Sequence, residues 1–507
     1  MTNSLRKSQK INFEIFNKIM KLPIKFLPFF LLLIISISSF SQNKEGFSIH
    51  GKVRGIKDTT VFLAHYFGYN QQVIKDTAKV DAQGNFHFEG NKTLPEGLYL
   101  VSLPKNKYMD IIIGNQEFSF ETDTVNLITE MKVKGSKENE TFFKFQQDMA
   151  AKFEDMKVAE LEKKMSNSPL ANVKIRKIQE DISKFQKDWI KATDGMFVNK
   201  LIKVSQDPEI PPFGKPLITK TDSTAFYQYQ FNYYKNHFWD NVDLTDDRLM
   251  RSPFLQKKIE RYFDDLTVQS SDSIIKSSDL VLARAKGRDV RRYVIYKIAS
   301  TYENPKILGT DGAFVHIAEK YYIGEPALWD TSTVRKMKER VAVLKPLLVG
   351  KIFPDMFLTD TVGTEILIPK LVADYTVLFI YDPECGHCRE SAPKLAKMYQ
   401  GLKTKNVKII AASIDRTPVK WKKFIKEFKL EELIHGIDIH KNPQTGKEEY
   451  YTDFKNNFDV YATPVVYVLD KDKKIIAKRL PVEQIEDFVD FHRKQSAREK
   501  EKIKTGK

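Results

Sequence analysis

The chain's two cysteines stand three positions apart, in Cys385-Gly386-His387-Cys388, where an apolar run at 376–381 gives way to a helical pattern. Two cysteines in 507 residues exclude a disulfide-stapled scaffold and any all-cysteine zinc or iron–sulfur site. A tetrahedral zinc would have to recruit histidines, and His387, His435 and His440 would complete only an unusual Cys2His2 set. Haem attachment wants a histidine directly after the second cysteine, where Arg389 stands. A purely structural bridge over so short a loop adds little chain-entropy stabilisation. Thiol–disulfide exchange fits better. Thiols three apart at the start of a helix lie on one side of its first turn, close enough to bridge. Cys385 there meets free backbone N–H groups and the positive end of the helix dipole, which favour the thiolate, the attacking species. Cys388, one turn further in, is expected to be shielded and to resolve the mixed disulfide. His387 can donate or carry positive charge and is expected to lower the nucleophile's pKa further. Glu384 is expected to oppose it by setting a negative charge beside the developing thiolate.

The rest of the chain divides by periodicity. A basic stretch at 20–25 leads into apolar and small residues at 26–40, and Ser39-Phe40-Ser41 precedes Gln42. These are the parts of a secretory signal peptide over 1–41, with 1–19 an upstream extension if Met20 is the start. The apolar run falls short of the roughly 20 residues of a membrane span, so no stable span is expected after cleavage. No cysteine stands at the junction to carry lipid. Lys and Arg number 82 against 66 Asp and Glu, a net charge of +16. The excess is spread over the chain and ends in a basic tail at 494–507, which reads as a solvated face and a frayed end. No nucleic-acid fingerprint accompanies it.

Residues 44–134 carry short strands at 48–53, 60–65, 85–88, 98–102, 109–113 and 117–120, separated by turn residues, which predicts an all-β sandwich. Its scattered His50, His65 and His87 read as structural. Residues 138–349 are helical in texture, with helices expected at 173–203, 224–234, 253–266, 273–287, 289–301, 314–322 and 333–344. The aromatic run at 226–234 reads as bundle core, with a peptide groove as the other reading, and His316 as packing. Residues 351–493 alternate strands (376–381, 407–414, 465–469, 474–478) and helices (from 385, 419–430, 482–493). Trp421, Phe424, Ile425 and Phe428 share one helix face. This is an α/β core with a mixed sheet.

With these residues in view, 352–493 resembles the thioredoxin-fold domains of the TlpA/ResA-type thiol–disulfide oxidoreductases exported by bacteria. The match lies in the strand before the cysteine pair, in Pro393 five residues after Cys388, in Thr463-Pro464 before the strand at 465–469, and in the closing strand pair and helix. The resemblance implies that Pro393 kinks the active-site helix and that Thr463-Pro464 is a cis-proline loop offering its backbone to a substrate. It also implies protein thiols and disulfides as partners, a membrane electron donor, and no cofactor or metal beyond a Cys385–Cys388 disulfide. Three departures stand out: Glu384 replaces the family's usual Trp, Gly-His replaces Gly-Pro between the cysteines, and Phe379 replaces a buried Asp. Proton transfer to Cys388 then needs another group or water. The order of β module, helical module and redox domain is similar to that of exported Bacteroidetes proteins. The expectation is therefore an exported enzyme of the periplasm or cell envelope. The rival is a non-enzymatic envelope binding or scaffold protein whose redox domain is vestigial. Reductant, oxidant and isomerase can all use such a pair, because its potential follows the relative stability of thiol and disulfide forms.

Overall fold

The computed structural model describes residues 46–67, 72–166 and 169–505. The leader expected over 1–41, with its extension at 1–19, lies outside the described residues.

Eight strands open the described chain: β1 (Phe47–Arg54), β2 (Thr59–Tyr66), β3 (Gln72–Val80), β4 (Asn85–Gly90), β5 (Gly97–Leu103), β6 (Lys107–Ile113), β7 (Glu117–Asp123) and β8 (Lys132–Lys134). They form two four-stranded sheets, in the orders β4-β1-β7-β8 and β3-β2-β5-β6. β1 shows the strict alternation of a one-sided strand, with Phe47, Ile49 and Val53 turned inward. A Cβ on Gly51 would fall 2.2 Å from the Phe86 ring, so only glycine lets that ring close the core there. β3 was not among the expected strands. It is an edge strand paired with β2, and only Ala78 and Val80 of it are buried, so it lacks the alternating signature. His50 and His87 stack at 3.9 Å on the sheet, and buried His65 hydrogen-bonds the Tyr66 carbonyl through Nδ1 at 2.9 Å.

The helical module begins with the hairpin α1 (Lys137–Ser166) and α2 (Pro169–Ala192), whose Phe145 and Phe185 rings stack at 5.9 Å. The single helix expected at 173–203 is broken after Ala192, where Gly195 takes φ +80°, and resumes as α3 (Phe197–Ser205). α4 (Lys220–His237) buries none of its residues, which corrects the expectation of a core helix. Its aromatics are scattered around the axis instead of forming a stripe, so no single face can be buried. They pack on one another and on Phe213 of the preceding loop, 5.5 Å from Phe226 and 5.4 Å from Tyr229. Then follow α5 (Pro253–Asp264), α6 (Ser271–Arg284), α7 (Arg288–Glu303), α8 (Gly312–Ile317), which passes into one wider π turn (Ala318–Ile323), and α9 (Thr331–Leu344). His316 does more than fill space: its Nε2 pairs with Asp279 at 2.9 Å, and Asp279 also accepts from Lys320 and Tyr321.

β sandwich and helices share one hydrophobic core, continuous from Phe47 to Leu344. Fully buried Asn139 of α1 accepts from the Ile112 N–H and donates to the Ile112 carbonyl, both at 2.7 Å, so a side-chain amide closes the β6 edge as a further strand would.

The C-terminal domain is an α/β fold of thioredoxin type. Its strands are β9 (Tyr375–Tyr381), β10 (Val407–Ser413), β11 (Ile434–Ile437), a small hairpin of β12 (His440–Lys441) and β13 (Glu448–Glu449), then β14 (Val465–Leu469) and β15 (Ile475–Lys478). The main sheet runs β11-β10-β9-β14-β15, with β9 parallel to β10 and antiparallel to β14. Every residue of β9 is buried, because helices and loops cover both sheet faces. The helices are α10 (Gly386–Leu402), α11 (Pro418–Glu427), α12 (Phe454–Phe458) and α13 (Ile485–Thr505). α13 continues unbroken past Arg493, so the tail read as frayed is helical to Thr505. Among the described residues no helix is long and apolar enough to cross a membrane. Two buried ion pairs bolt this domain to the helical module: Lys478 with Asp311, and Asp459 with Arg340.

Candidate active site

The turn between β9 and α10 is built to present one thiol. Cys385 is the N-cap of α10, extended at φ −71° and ψ 124°, with helical backbone starting at Gly386. Asp382 shapes the approach: its carboxylate accepts from the Glu384 N–H at 2.8 Å and its carbonyl from the Cys385 N–H at 3.1 Å. Arg389, one turn into α10, donates to the Pro383 carbonyl at 3.2 Å, lies 5.0 Å over the Phe428 ring and pairs with Glu427. Sequence reading passed over Arg389 because it reaches back across the loop, a contact that helical spacing does not reveal.

Both cysteines are free thiols, Cys385 half-buried and Cys388 fully buried. The Cys385 thiol donates to the Thr463 carbonyl at 3.3 Å, and the Thr463–Pro464 peptide bond is cis. Burial works against charge on Cys385. The Thr463 side chain, the Cys388 backbone and thiol, and the His387 backbone outweigh it, and the thiol sits below its ordinary value. Burial pushes Cys388 up to about 12. One turn of helix thus holds a ready nucleophile and a protonated partner. Iodoacetamide should therefore alkylate the reduced native chain at Cys385 alone, with a rate rising through a midpoint below the roughly 8.5 of a free thiol. Mass spectrometry across a pH series checks this, and a midpoint at or above the free-thiol value would overturn it.

The remaining sequence-derived residues fall into two groups. Thr463 and Pro464 lie against the thiols. Pro393 is inside α10, where its missing N–H leaves the Arg389 carbonyl without its helical donor. His387 and Glu384 face outward instead: the His387 ring is 84% exposed, 3.6 Å from Glu390, and it is the His387 backbone that bears on Cys385. Glu384 pairs with Lys420 of α11 at 2.7 Å, which offsets the charge it sets beside the thiol. On the inner side, Phe379 stacks on Tyr381 at 5.4 Å, and Tyr381 on Phe424 at 4.5 Å. Tyr381, with its hydroxyl buried, is the polar group that β9 adds to this wall. Among the described residues no group of three or more His, Cys, Asp or Glu side chains converges as a metal site.

Next to the active-site turn lies a cleft of about 540 Å³ lined by His387, Pro464, Tyr461, Pro481 and Arg479, together with Asn304 of the helical module; the two sulfurs themselves do not line it. A larger cavity of about 730 Å³ lies between α5 and α7, lined by the helical module alone.

The family described as AhpC/TSA matches residues 349–478. Two families described as domains of unknown function, DUF4369 and DUF5106, match 47–142 and 200–345. The chain is similar to the thiol-disulfide oxidoreductase ResA of Bacillus cereus (strain ZK / E33L), with 26% identity over 144 residues, which is 28% of this chain and 76% of that protein. Among solved structures it is similar to a domain of a possible thiol-disulfide isomerase from Cytophaga hutchinsonii. That likeness has 39% identity and a TM-score of 0.27, covering 30% of this chain and 97% of the other. A thioredoxin-like protein from Bacteroides caccae is 20% identical with a TM-score of 0.44, over 57% of this chain and 98% of the other.

Proposed function

Because its C-terminal domain belongs to the thioredoxin-like thiol–disulfide oxidoreductases of ResA type, we propose that this chain exchanges thiols and disulfides with proteins outside the cytoplasm through Cys385 and Cys388. The observation that carries the reading is geometric: Cys385 caps α10 with its thiol on the carbonyl that precedes the cis Thr463–Pro464 bond, while Cys388 is fully buried one turn behind it. In the reducing direction, the Cys385 thiolate attacks one sulfur of a partner disulfide. The partner S–S bond breaks, its departing sulfur takes a proton, and a mixed disulfide forms. Cys388 then loses its proton and attacks Cys385, the mixed bond breaks, and the second partner thiol leaves. Two electrons have passed to the partner and the chain holds a Cys385–Cys388 disulfide. The oxidising direction is the same path reversed. The two thiols supply the redox chemistry. As a reductant the chain would be recharged by a membrane electron donor, and the leader at 1–41 would route it to the periplasm or envelope.

Equilibrating the purified chain with glutathione buffers tests the proposal. The pair should cycle. A potential near or below about −250 mV makes it a reductant, and one near about −180 mV or above an oxidant or isomerase. A pair that does not cycle would falsify the enzyme reading and leave the binding or scaffold protein in its place.

A further inference from the structure

We propose that the helical module supplies the end wall of the cleft beside Cys385, with Asn304 as the residue that selects an extended polypeptide segment over a small disulfide. This rests on the thiol–disulfide reading above.

The cleft next to the active-site turn is lined by the redox domain through Tyr461, Pro464, Pro481 and Val482 among others. Asn304, which caps the end of α7, is the one lining residue that comes from the helical module. Nothing in the redox domain's own sheet and helices requires a wall there. The wall is also fixed in place. Arg479 donates to Asn304 Oδ1 at 2.8 Å and grips Asp459 with its other terminal nitrogen. Arg340 of α9 holds the second Asp459 oxygen and donates to Glu303 at 2.9 Å. Glu303, Asn304 and Arg340 on one side and Asp459 and Arg479 on the other therefore form a single network across the junction. The network ends four residues before Thr463, whose carbonyl receives the Cys385 thiol.

Two features point to the occupant. A volume of about 540 Å³ is of the size that takes up a short peptide segment, and its lining includes His387, two residues after Cys385, and Pro464, next to the Thr463 whose carbonyl receives the Cys385 thiol, so a segment lying in it passes close to the nucleophile. The lining mixes ring and aliphatic faces (Tyr461, Pro464, Pro481) with hydrogen-bonding groups (Asn304, Arg479), which suits a main chain with side chains on either hand. A segment whose cysteine meets Cys385 can lay its neighbouring residues against Asn304. Glutathione disulfide reaches the same sulfur without spanning the cleft.

The test compares full-length wild type with Asn304→Trp, which fills the end of the cleft, on insulin disulfides and on glutathione disulfide. The ratio of kcat/KM for insulin to that for glutathione disulfide should fall about tenfold, carried by KM for insulin, with the reduction potential unmoved. An unchanged ratio, or equal loss on both substrates, overturns the inference while leaving the enzyme intact. Failure of wild type to turn over either substrate overturns the underlying function instead. A second measurement needs no substitution at the wall. Full-length Cys388→Ser, held as a mixed disulfide with a twelve-residue single-cysteine peptide, should show slowed amide exchange around Asn304 relative to its glutathione adduct. Identical exchange in the two adducts overturns the wall.

Discussion

Cys385→Ser should abolish turnover of every disulfide substrate, by about a thousandfold or more, because a serine hydroxyl offers no anion to attack sulfur near neutral pH. Cys388→Ser should fail differently. Cys385 can still open the partner disulfide, but with no second thiol behind it the mixed disulfide persists and partners stay covalently attached. Non-reducing electrophoresis distinguishes the two: a partner adduct for Cys388→Ser and none for Cys385→Ser. The difference follows from placement. Cys385 caps α10 with its sulfur toward the Thr463 carbonyl, whereas Cys388 has no exposed surface and can meet only a sulfur already delivered to Cys385. Retained insulin reduction by Cys385→Ser would place the nucleophile elsewhere and remove the basis of the mechanism.

Asp459→Ala should cost about 2–3 kcal/mol, a large stability effect for one polar side chain. Asp459 is 4% exposed and accepts from both Arg340 and Arg479. Removing its carboxylate leaves two guanidinium groups facing each other at the module junction. The position adds a local cost, since Asp459 sits at φ 55°, a left-handed conformation that aspartate tolerates better than alanine. Asp459→Asn, which keeps acceptors and backbone preference but removes the charge, should lose clearly less. Chemical denaturation followed by the fluorescence of buried Trp421 reads both variants. A loss of less than about 0.5 kcal/mol for the alanine variant would mean that the two arginines do not depend on this carboxylate.

How much of this could be read in the sequence depended on where each element buries its residues. β9, β10 and β14 were legible as unbroken apolar runs, because covered sheet faces demand them, and the Cys385/Cys388 pair was legible because its chemistry is local in the chain. β3 was not, since an edge strand needs no inward stripe beyond Ala78 and Val80. β11 was not among the expected strands: four residues, Ile434–Ile437, are too few for periodicity to show. The aromatic run in α4 misled because aromatic content was taken for burial, while the angular scatter of Phe226, Tyr227, Phe231 and Tyr233 already ruled out one buried face. The charged network at the cleft was out of reach. Arg340 and Asp459 are 119 positions apart and Asn304 and Arg479 are 175 apart, and no pattern in either segment announces the other.

The continuous core from Phe47 to Leu344 has a consequence for how the chain can be cut and recombined. The β sandwich and the helical bundle should therefore melt as one cooperative unit, and a fragment ending at β8 would bare the sheet face and the β6 edge that α1 covers. The α/β domain, with a separate packed layer on each side of its sheet, is a second unit that meets the first mainly through charge pairs and short polar contacts. Module exchange should therefore be tolerated best at one joint, just after Leu344. There a foreign redox domain would give up the Lys478–Asp311 and Asp459–Arg340 pairs and the packing of Leu348 on the bundle, whereas a joint between sandwich and bundle would divide a core in two.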